Sequence, residues 1–256
     1  MRFVSCALLL GSVLVWVVEG GSLLASLLNT KTKARCSSLS EASIAVLEQT
    51  LQDGSVPRGE SVTLLCSVTA SPPTGISWYK DGKLLNPDET LIEEELAPRV
   101  QIGIATVESR LVIPCFSKAH AGKYTCQADT RCGATQSQSA TLSVDYSEKE
   151  SRCRATYPPV ITQATMTRIE MAQNPVHLMC RAVGVPKPRI AWTRVDDEGR
   201  EVSIENDVRF QKQASGDLIV FGPVNSEVAQ MEFRCTARNP FGEASYESVI
   251  IYTNEN

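Results

Sequence analysis

The sequence predicts an all-β protein made of two tandem, disulfide-bonded β-sandwiches behind a cleaved signal peptide. Three observations carry this expectation. A Cys, Trp, Cys triplet occurs twice in register, as Cys66, Trp78, Cys126 and as Cys180, Trp192, Cys235, with twelve residues from the first cysteine to the tryptophan each time. Around these landmarks apolar and polar residues alternate with a period of two, the pattern of half-buried strands. At the N-terminus, Met1-Arg2 precedes an apolar run from Phe3 to Val18, broken only by Ser5, Gly11 and Ser12 and followed by Glu19-Gly20-Gly21. A basic start, an apolar middle and small residues at the cut are the layout of a secretory signal.

The apolar run is shorter than the roughly 20 residues that span a bilayer, and Glu19 closes it. Tyr246 to Asn256 carries neither an apolar tail nor a lipidation motif. A secreted, extracellular protein with no membrane anchor is therefore expected. The chain has 256 residues, 43% of them hydrophobic, enough for two cores of about 100 residues each. The expected organisation is a signal peptide over 1–20, a flexible N-terminal segment over 21–40, a first domain over 41–146, a linker over 147–157 and a second domain over 158–256. The formal net charge is −4 with scattered cations, which excludes nucleic acid as a partner class.

Strand parity places the landmarks. Val62, Leu64 and Cys66 alternate with Ser61, Thr63 and Leu65, and Val176, Leu178 and Cys180 alternate with His177 and Met179. Ile76 with Trp78, and Ile190 with Trp192, face inward on the next strand, while Leu111, Ile113, Phe116, Gly122 and Tyr124 lead to the second cysteine of the first half. Cysteines and tryptophan at this spacing mark an immunoglobulin-like sandwich, in which a bridge joins strands B and F across the sheets and the indole of strand C packs on it. Cys66 is expected to pair with Cys126 and Cys180 with Cys235. Tyr124, two residues before Cys126, fits the tyrosine corner of that fold. The equivalent residue in the second half is Phe233, and Met231 replaces the glycine before it, so no corner bond and a locally different loop are expected there. The strings around Trp78, around Trp192 and at Asn239-Pro240-Phe241-Gly242 resemble the I-set.

Nine cysteines are present, and Cys6 leaves with the signal. The remaining eight, without a Cys-x-x-Cys pair to hold zinc, favour four bridges in an exported chain. Beyond the two core bridges, topology selects partners. Cys36, before strand A, and Cys132, after strand F, lie at the end where the chain enters the first sandwich. Cys115, after strand E, and Cys153, in the linker, lie at the opposite end. The expected pairs are Cys36 with Cys132 and Cys115 with Cys153, the second clamping the linker to the first domain.

Three further features, the acidic run Asp88-Glu89-Thr90-Leu91-Ile92-Glu93-Glu94-Glu95, the additional Cys115 and the linker dipeptide Cys153-Arg154, accompany the Cys and Trp landmarks. With them the chain resembles the nematode ZIG family of secreted two-immunoglobulin-domain proteins over the whole mature length; Cys36 and Cys132 depart from the commonest pattern. The resemblance implies a role in neurons, holding axons and cell bodies in position through contacts with an extracellular or cell-surface protein. Insect relatives of the same layout bind insulin-like peptides, which makes such a peptide the alternative partner.

Catalytic, cofactor and metal sites are not expected. His177 is read as pointing outward and His120 as occupying a bend position where aspartate is usual; no nucleophile elbow, phosphate loop or ligand cluster occurs. The acidic run falls where strands C′ and D belong, as a guard on a sheet edge or as a docking surface for a basic partner. Lys31, Lys33 and Arg35 read as a solvated tail or a weak polyanion contact. No Asn-x-Ser or Asn-x-Thr sequon occurs, so N-glycans are not expected. Binding residues are not legible, because the loops and faces of this fold accept almost any side chain.

Overall fold

The computed structural model describes residues 44–48, 50–85, 103–129, 135–172, 174–222 and 230–253, and the chain from Ile44 onward forms one unit. Residues 1–43, including Lys31, Lys33, Arg35 and Cys36, lie outside the described residues, as do the acidic run and Cys132. The strands of the first half are β1 (Ile44–Leu47), β2 (Gly54–Pro57), β3 (Val62–Ser71), β4 (Ser77–Lys80), β5 (Lys83–Leu84), β6 (Ile104–Ile113), β7 (Gly122–Asp129) and β8 (Thr135–Asp145). Those of the second half are β9 (Tyr157–Met171), β10 (Val176–Leu178), β11 (Cys180–Val185), β12 (Arg189–Val195), β13 (Glu201–Ser203), β14 (Phe210–Lys212), β15 (Leu218–Val220), β16 (Gln230–Asn239) and β17 (Gly242–Thr253).

In the first sandwich β1, β3 and β6 face the five-stranded sheet β2-β8-β7-β4-β5. Alternation delivers Leu64, Cys66, Val68 and Ala70 of β3, Val107 and Ile113 of β6, and Tyr124, Cys126 and Ala128 of β7 to one core with Trp78 and Phe116. β4 and β5 close through Asp81 and Gly82, both at positive φ (50° and 80°), between the pair Lys80↔Lys83. Positive φ at both central positions is what a two-residue hairpin turn demands, and Asp-Gly supplies it. In the second sandwich the short sheet β10-β15-β14 brings Val176, Leu178, Leu218 and Val220 to a core with Trp192, Phe233, Cys235 and Ile250.

The two sandwiches share a sheet. Strand order runs β1-β3-β6-β9-β17-β16-β12-β13, with β11 also paired to β9. β6 and β9 pair antiparallel from Ile104↔Ile169 to Ser109↔Gln163, with a register shift between Thr106 and Val107 that leaves Met166 as the extra residue. Farther along, β9 pairs parallel with β17 from Thr167↔Val249 to Met171↔Thr253. The first strand of the second domain thus occupies the edge of β6.

Side chains consolidate this seam. Met179, on the parity opposite to Cys180, is buried within the first sandwich's core, and its backbone N–H donates to Thr165 Oγ1 at 2.9 Å. Trp78 Nε1 donates to Ser109 Oγ at 2.9 Å, and Ser109 Oγ donates to the Thr162 carbonyl at 3.1 Å, so the first core's indole is wired to β9. Arg168 and Glu170, 1% and 2% exposed, form an ion pair at 2.5 Å. The Glu170 carboxylate also accepts from Asn174 Nδ2 at 2.9 Å and from the Met171 N–H at 3.1 Å. Tandem domains joined by a linker are ordinarily mobile; here a strand ladder and a shared core join them, which goes well beyond the linker clamp expected from the cysteines.

Met179→Ala is therefore expected to destabilise both sandwiches together by about 2–5 kcal/mol. Denaturant unfolding followed separately through Trp78 and Trp192, each in a variant that lacks the other, should give coincident midpoints that move together; separated midpoints would contradict a shared core.

Candidate functional site

The expected core cysteines are joined: Cys66 of β3 to Cys126 of β7, with Cα atoms 6.6 Å apart, and Cys180 of β11 to Cys235 of β16, at 6.5 Å. The first bridge connects the two facing sheets of its sandwich, the second joins two strands of the long shared sheet, and all four cysteines are fully buried. Cys115, two residues beyond β6, is bridged to Cys153 in the linker with Cα atoms 5.4 Å apart. The linker also lies against the base of the first sandwich. The Ser151 N–H donates to the Arg58 carbonyl at 2.9 Å, and Arg58 pairs with Glu150. A Cβ on Gly59 would come within 1.9 Å of the Ser151 carbonyl oxygen, so that close approach requires glycine.

Tyr124 donates its hydroxyl to the His120 carbonyl at 2.6 Å, forming the corner. The turn is tightened by His120 Nδ1, which accepts from the Ser117 N–H at 3.1 Å. Burial raises the Tyr124 pKa, with the Asp81 charge adding to it, so the hydroxyl stays a donor. The glycine before the tyrosine has a packing reason: a Cβ on Gly122 would lie 2.6 Å from Asp81 Oδ2, and Asp81 Oδ1 accepts from the Lys123 N–H at 2.8 Å. In the second sandwich Phe233 packs edge-on against Phe210, ring centroids 5.5 Å apart; ring contact stands where the first sandwich has a hydroxyl bond. Of the segment expected to differ, Pro223 to Glu232, residues 223–229 lie outside the described residues and the remainder opens β16.

His177 does not point freely outward. Its side chain is largely covered and Nε2 lies 3.3 Å from Asp217 Oδ2. The buried Asp217 carboxylate also faces Arg181 at 3.3 Å and accepts from the Cys180 N–H at 3.0 Å. Burial raises its pKa, but the His177 hydrogen bond, the Arg181 and His177 charges and the Cys180 amide outweigh that and hold it below its ordinary 3.8. Next to it, the Gly216 carbonyl accepts from Trp192 Nε1 at 2.8 Å. The cluster thus anchors the strand B end, the β15 turn and the core indole, with its groups bonded to one another. Among the described residues no group of three or more His, Cys, Asp or Glu is placed to hold a metal ion. Among them, no helix is long and apolar enough to cross a membrane.

The exposed strand face of the second sandwich is charge-paired. Arg234 on β16 bonds Glu201 on β13 and, at 2.6 Å, Glu247 on β17, and Thr193 on the intervening β12 donates to Glu201 at 2.9 Å. At the loop end, Val185 and Phe241 are 40% and 53% exposed. They are held together through Asn239, whose Nδ2 donates to the Pro186 and Tyr157 carbonyls at 3.0 Å each. An exposed aromatic on ordered loops suits protein recognition better than chemistry.

Comparison with known proteins agrees with this architecture. The immunoglobulin I-set domain model matches residues 45–144, and an immunoglobulin domain model matches residues 158–239. Zwei Ig domain protein zig-3 of Caenorhabditis elegans is 28% identical over 255 residues, 98% of this chain and 97% of that protein. Zwei Ig domain protein zig-4 of the same organism is 28% identical over 208 residues, 79% of this chain and 78% of that protein. Among solved structures, neural ectodermal development factor IMP-L2 superposes with a TM-score of 0.60 at 20% identity, covering 82% of this chain and 95% of that one; the likeness is one of fold.

Tyr124→Phe should lower stability by about 1 kcal/mol, the net worth of one hydrogen bond, measured as a shifted urea midpoint with an unchanged slope. Asp217→Asn, which removes one partner of a buried charge cluster, should cost about 3 kcal/mol at neutral pH. Because the folded-state pKa of Asp217 is depressed, the stability it contributes is complete above the unfolded value of 3.8 and is lost as pH falls through the lower folded value. Wild type should thus lose urea resistance steeply below about pH 4, and Asp217→Asn should show a shallower loss.

Proposed function

We propose that the chain, whose two immunoglobulin domains and overall layout are similar to those of the Zwei Ig domain proteins, is a secreted extracellular binding protein of the nervous system. It helps hold axons and neuronal cell bodies in position through protein–protein contacts. The observation that carries this reading is the extent of the likeness to zig-3, which takes in 98% of this chain and 97% of that protein. The signal-like N-terminus supports export. A fused pair of sandwiches with a charge-paired strand face and an exposed Phe241 supports a scaffold that presents fixed surfaces to a macromolecule.

A second reading is a soluble protein that sequesters insulin-like peptides. It is favoured by the fold likeness to IMP-L2 across both domains, taken with the peptide-binding role of insect relatives of this layout. Loss of the gene in the source animal separates the two. The first reading expects axons and cell bodies that are placed correctly and later drift, with no capture of insulin-like peptides by the purified chain. Undisturbed neuronal positions together with nanomolar peptide capture would replace it by the second.

A further inference from the structure

The linker bridge has a consequence beyond restraint. Between the base of the first sandwich, the linker and the start of β9 lies a cleft of about 570 Å³, within the range of pockets that hold ligands. Its apolar surface comes from Val112, Pro114, Tyr157 and Val160, and two guanidinium groups, Arg152 and Arg154, line it from the linker. Both arginines are exposed. Among the described residues neither has a carboxylate within ion-pair distance, whereas Arg58, Arg110, Arg200, Arg209, Arg234 and Arg238 all do.

The arginines are positioned rather than trailing. They flank Cys153, whose bridge to Cys115 fixes that point of the linker beside Pro114. On the other side Ser151 is held by the Arg58 carbonyl and by Glu60, whose carboxylate accepts from Ser151 Oγ. Tyr157 closes the far wall, its carbonyl held by Asn239 Nδ2 at 3.0 Å. Glu60 lines the cleft and offsets one positive charge, leaving a net excess of one.

We propose that this cleft binds an acidic peptide segment of a partner protein, with a carboxylate on Arg152 and Arg154 and an adjacent apolar side chain against Tyr157, Pro114 and Val160. The chemistry selects this class. Guanidinium groups pair with carboxylates through charge-assisted hydrogen bonds, and the apolar walls reward a neighbouring aliphatic or aromatic residue. A sulfated glycan is bound chiefly through many cations, and only two unpaired ones line this cleft. Because the walls are cross-linked before a ligand arrives, little ordering entropy is spent on binding. The inference rests on the reading of the chain as an extracellular protein-binding module, and its test is independent of any neuronal role.

The test is selection of a randomised heptapeptide library on the full, disulfide-intact chain, with synthesis of the enriched peptides and measurement against wild type and the double variant Arg152→Gln, Arg154→Gln. Both side chains are exposed, so the variant should melt as wild type does. The proposal expects peptides in which Asp or Glu adjoins an aliphatic or aromatic residue. Their affinity should fall about tenfold or more in the double variant, and should weaken as salt rises. Enrichment of peptides without a carboxylate, undiminished binding to the variant, or no enrichment at all would overturn it. So would a heparin octasaccharide that binds wild type, loses affinity in the variant and outcompetes every enriched peptide.

Discussion

The antiparallel ladder between β6 and β9 is the constraint on which the rest of this molecule depends. An exposed sheet edge is a row of unpaired N–H and C=O groups that another strand will satisfy if it can. Here the edge of β6 is taken from Ile104 to Ser109 by the opening strand of the next domain. Each net hydrogen bond contributes only about 1 kcal/mol, but the register they impose decides what lies beside what. It sets Ala105 opposite Arg168 and Ile104 opposite Ile169, so the Arg168 and Glu170 pair is shut inside the seam. A buried ion pair of this kind adds little net stability, since desolvation offsets its attraction, and both partners stand on β9, two residues apart on one face. A slip of β9 by one residue would turn both side chains to the other face of the sheet, away from the seam that encloses them.

The fused sheet also dictates the course of the linker. From Asp145 at the end of β8 to Tyr157 at the start of β9, the chain has a fixed origin and a fixed destination, and it reaches the second through contacts with the first sandwich. Gly59 gives way to the Ser151 carbonyl, Arg58 receives the Ser151 amide, and Cys153 is tied to Cys115. Each of these would be weak on a freely swinging linker, because the entropy of ordering a flexible segment would oppose it. With both ends already fixed, the remaining cost is small and the contacts hold.

How much of this was legible in the sequence follows from what each kind of contact leaves as a trace. Cys66, Trp78, Tyr124 and their neighbours were legible because a sandwich core writes itself at a period of two and because bridge and indole need particular residue types. The Asp81-Gly82 turn leaves a trace of the same kind, because positive φ restricts composition. The β6–β9 ladder was not, since backbone pairing makes no demand on side-chain identity. Its supporting residues also resemble ordinary outward-facing polar positions: Ser109, Gln163, Thr165, Arg168 and Glu170 read as a solvated strand face. Met179 shows the limit most clearly. Parity correctly turns it away from the core that holds Cys180, but the space on that side is the core of the other domain. For His177 the same parity argument expected solvent, and the side chain instead meets Asp217. Periodicity gives a direction, and only the tertiary structure says what stands there.

Fusion also changes what a partner encounters. Two domains that tumble separately lose relative freedom when one ligand spans both, and that loss subtracts from affinity. In this chain the freedom is already lost on folding, at the expense of the ladder and the shared core. The walls around Arg152 and Arg154 and the loops bearing Val185 and Phe241 are connected through short, bonded steps. Tyr157 lines the first site, its carbonyl is held by Asn239, and Asn239 accepts from the Phe241 N–H at 2.9 Å. A partner that reaches from the linker to the loop end of the second sandwich therefore meets fixed spacings, and selects them by shape rather than by inducing them.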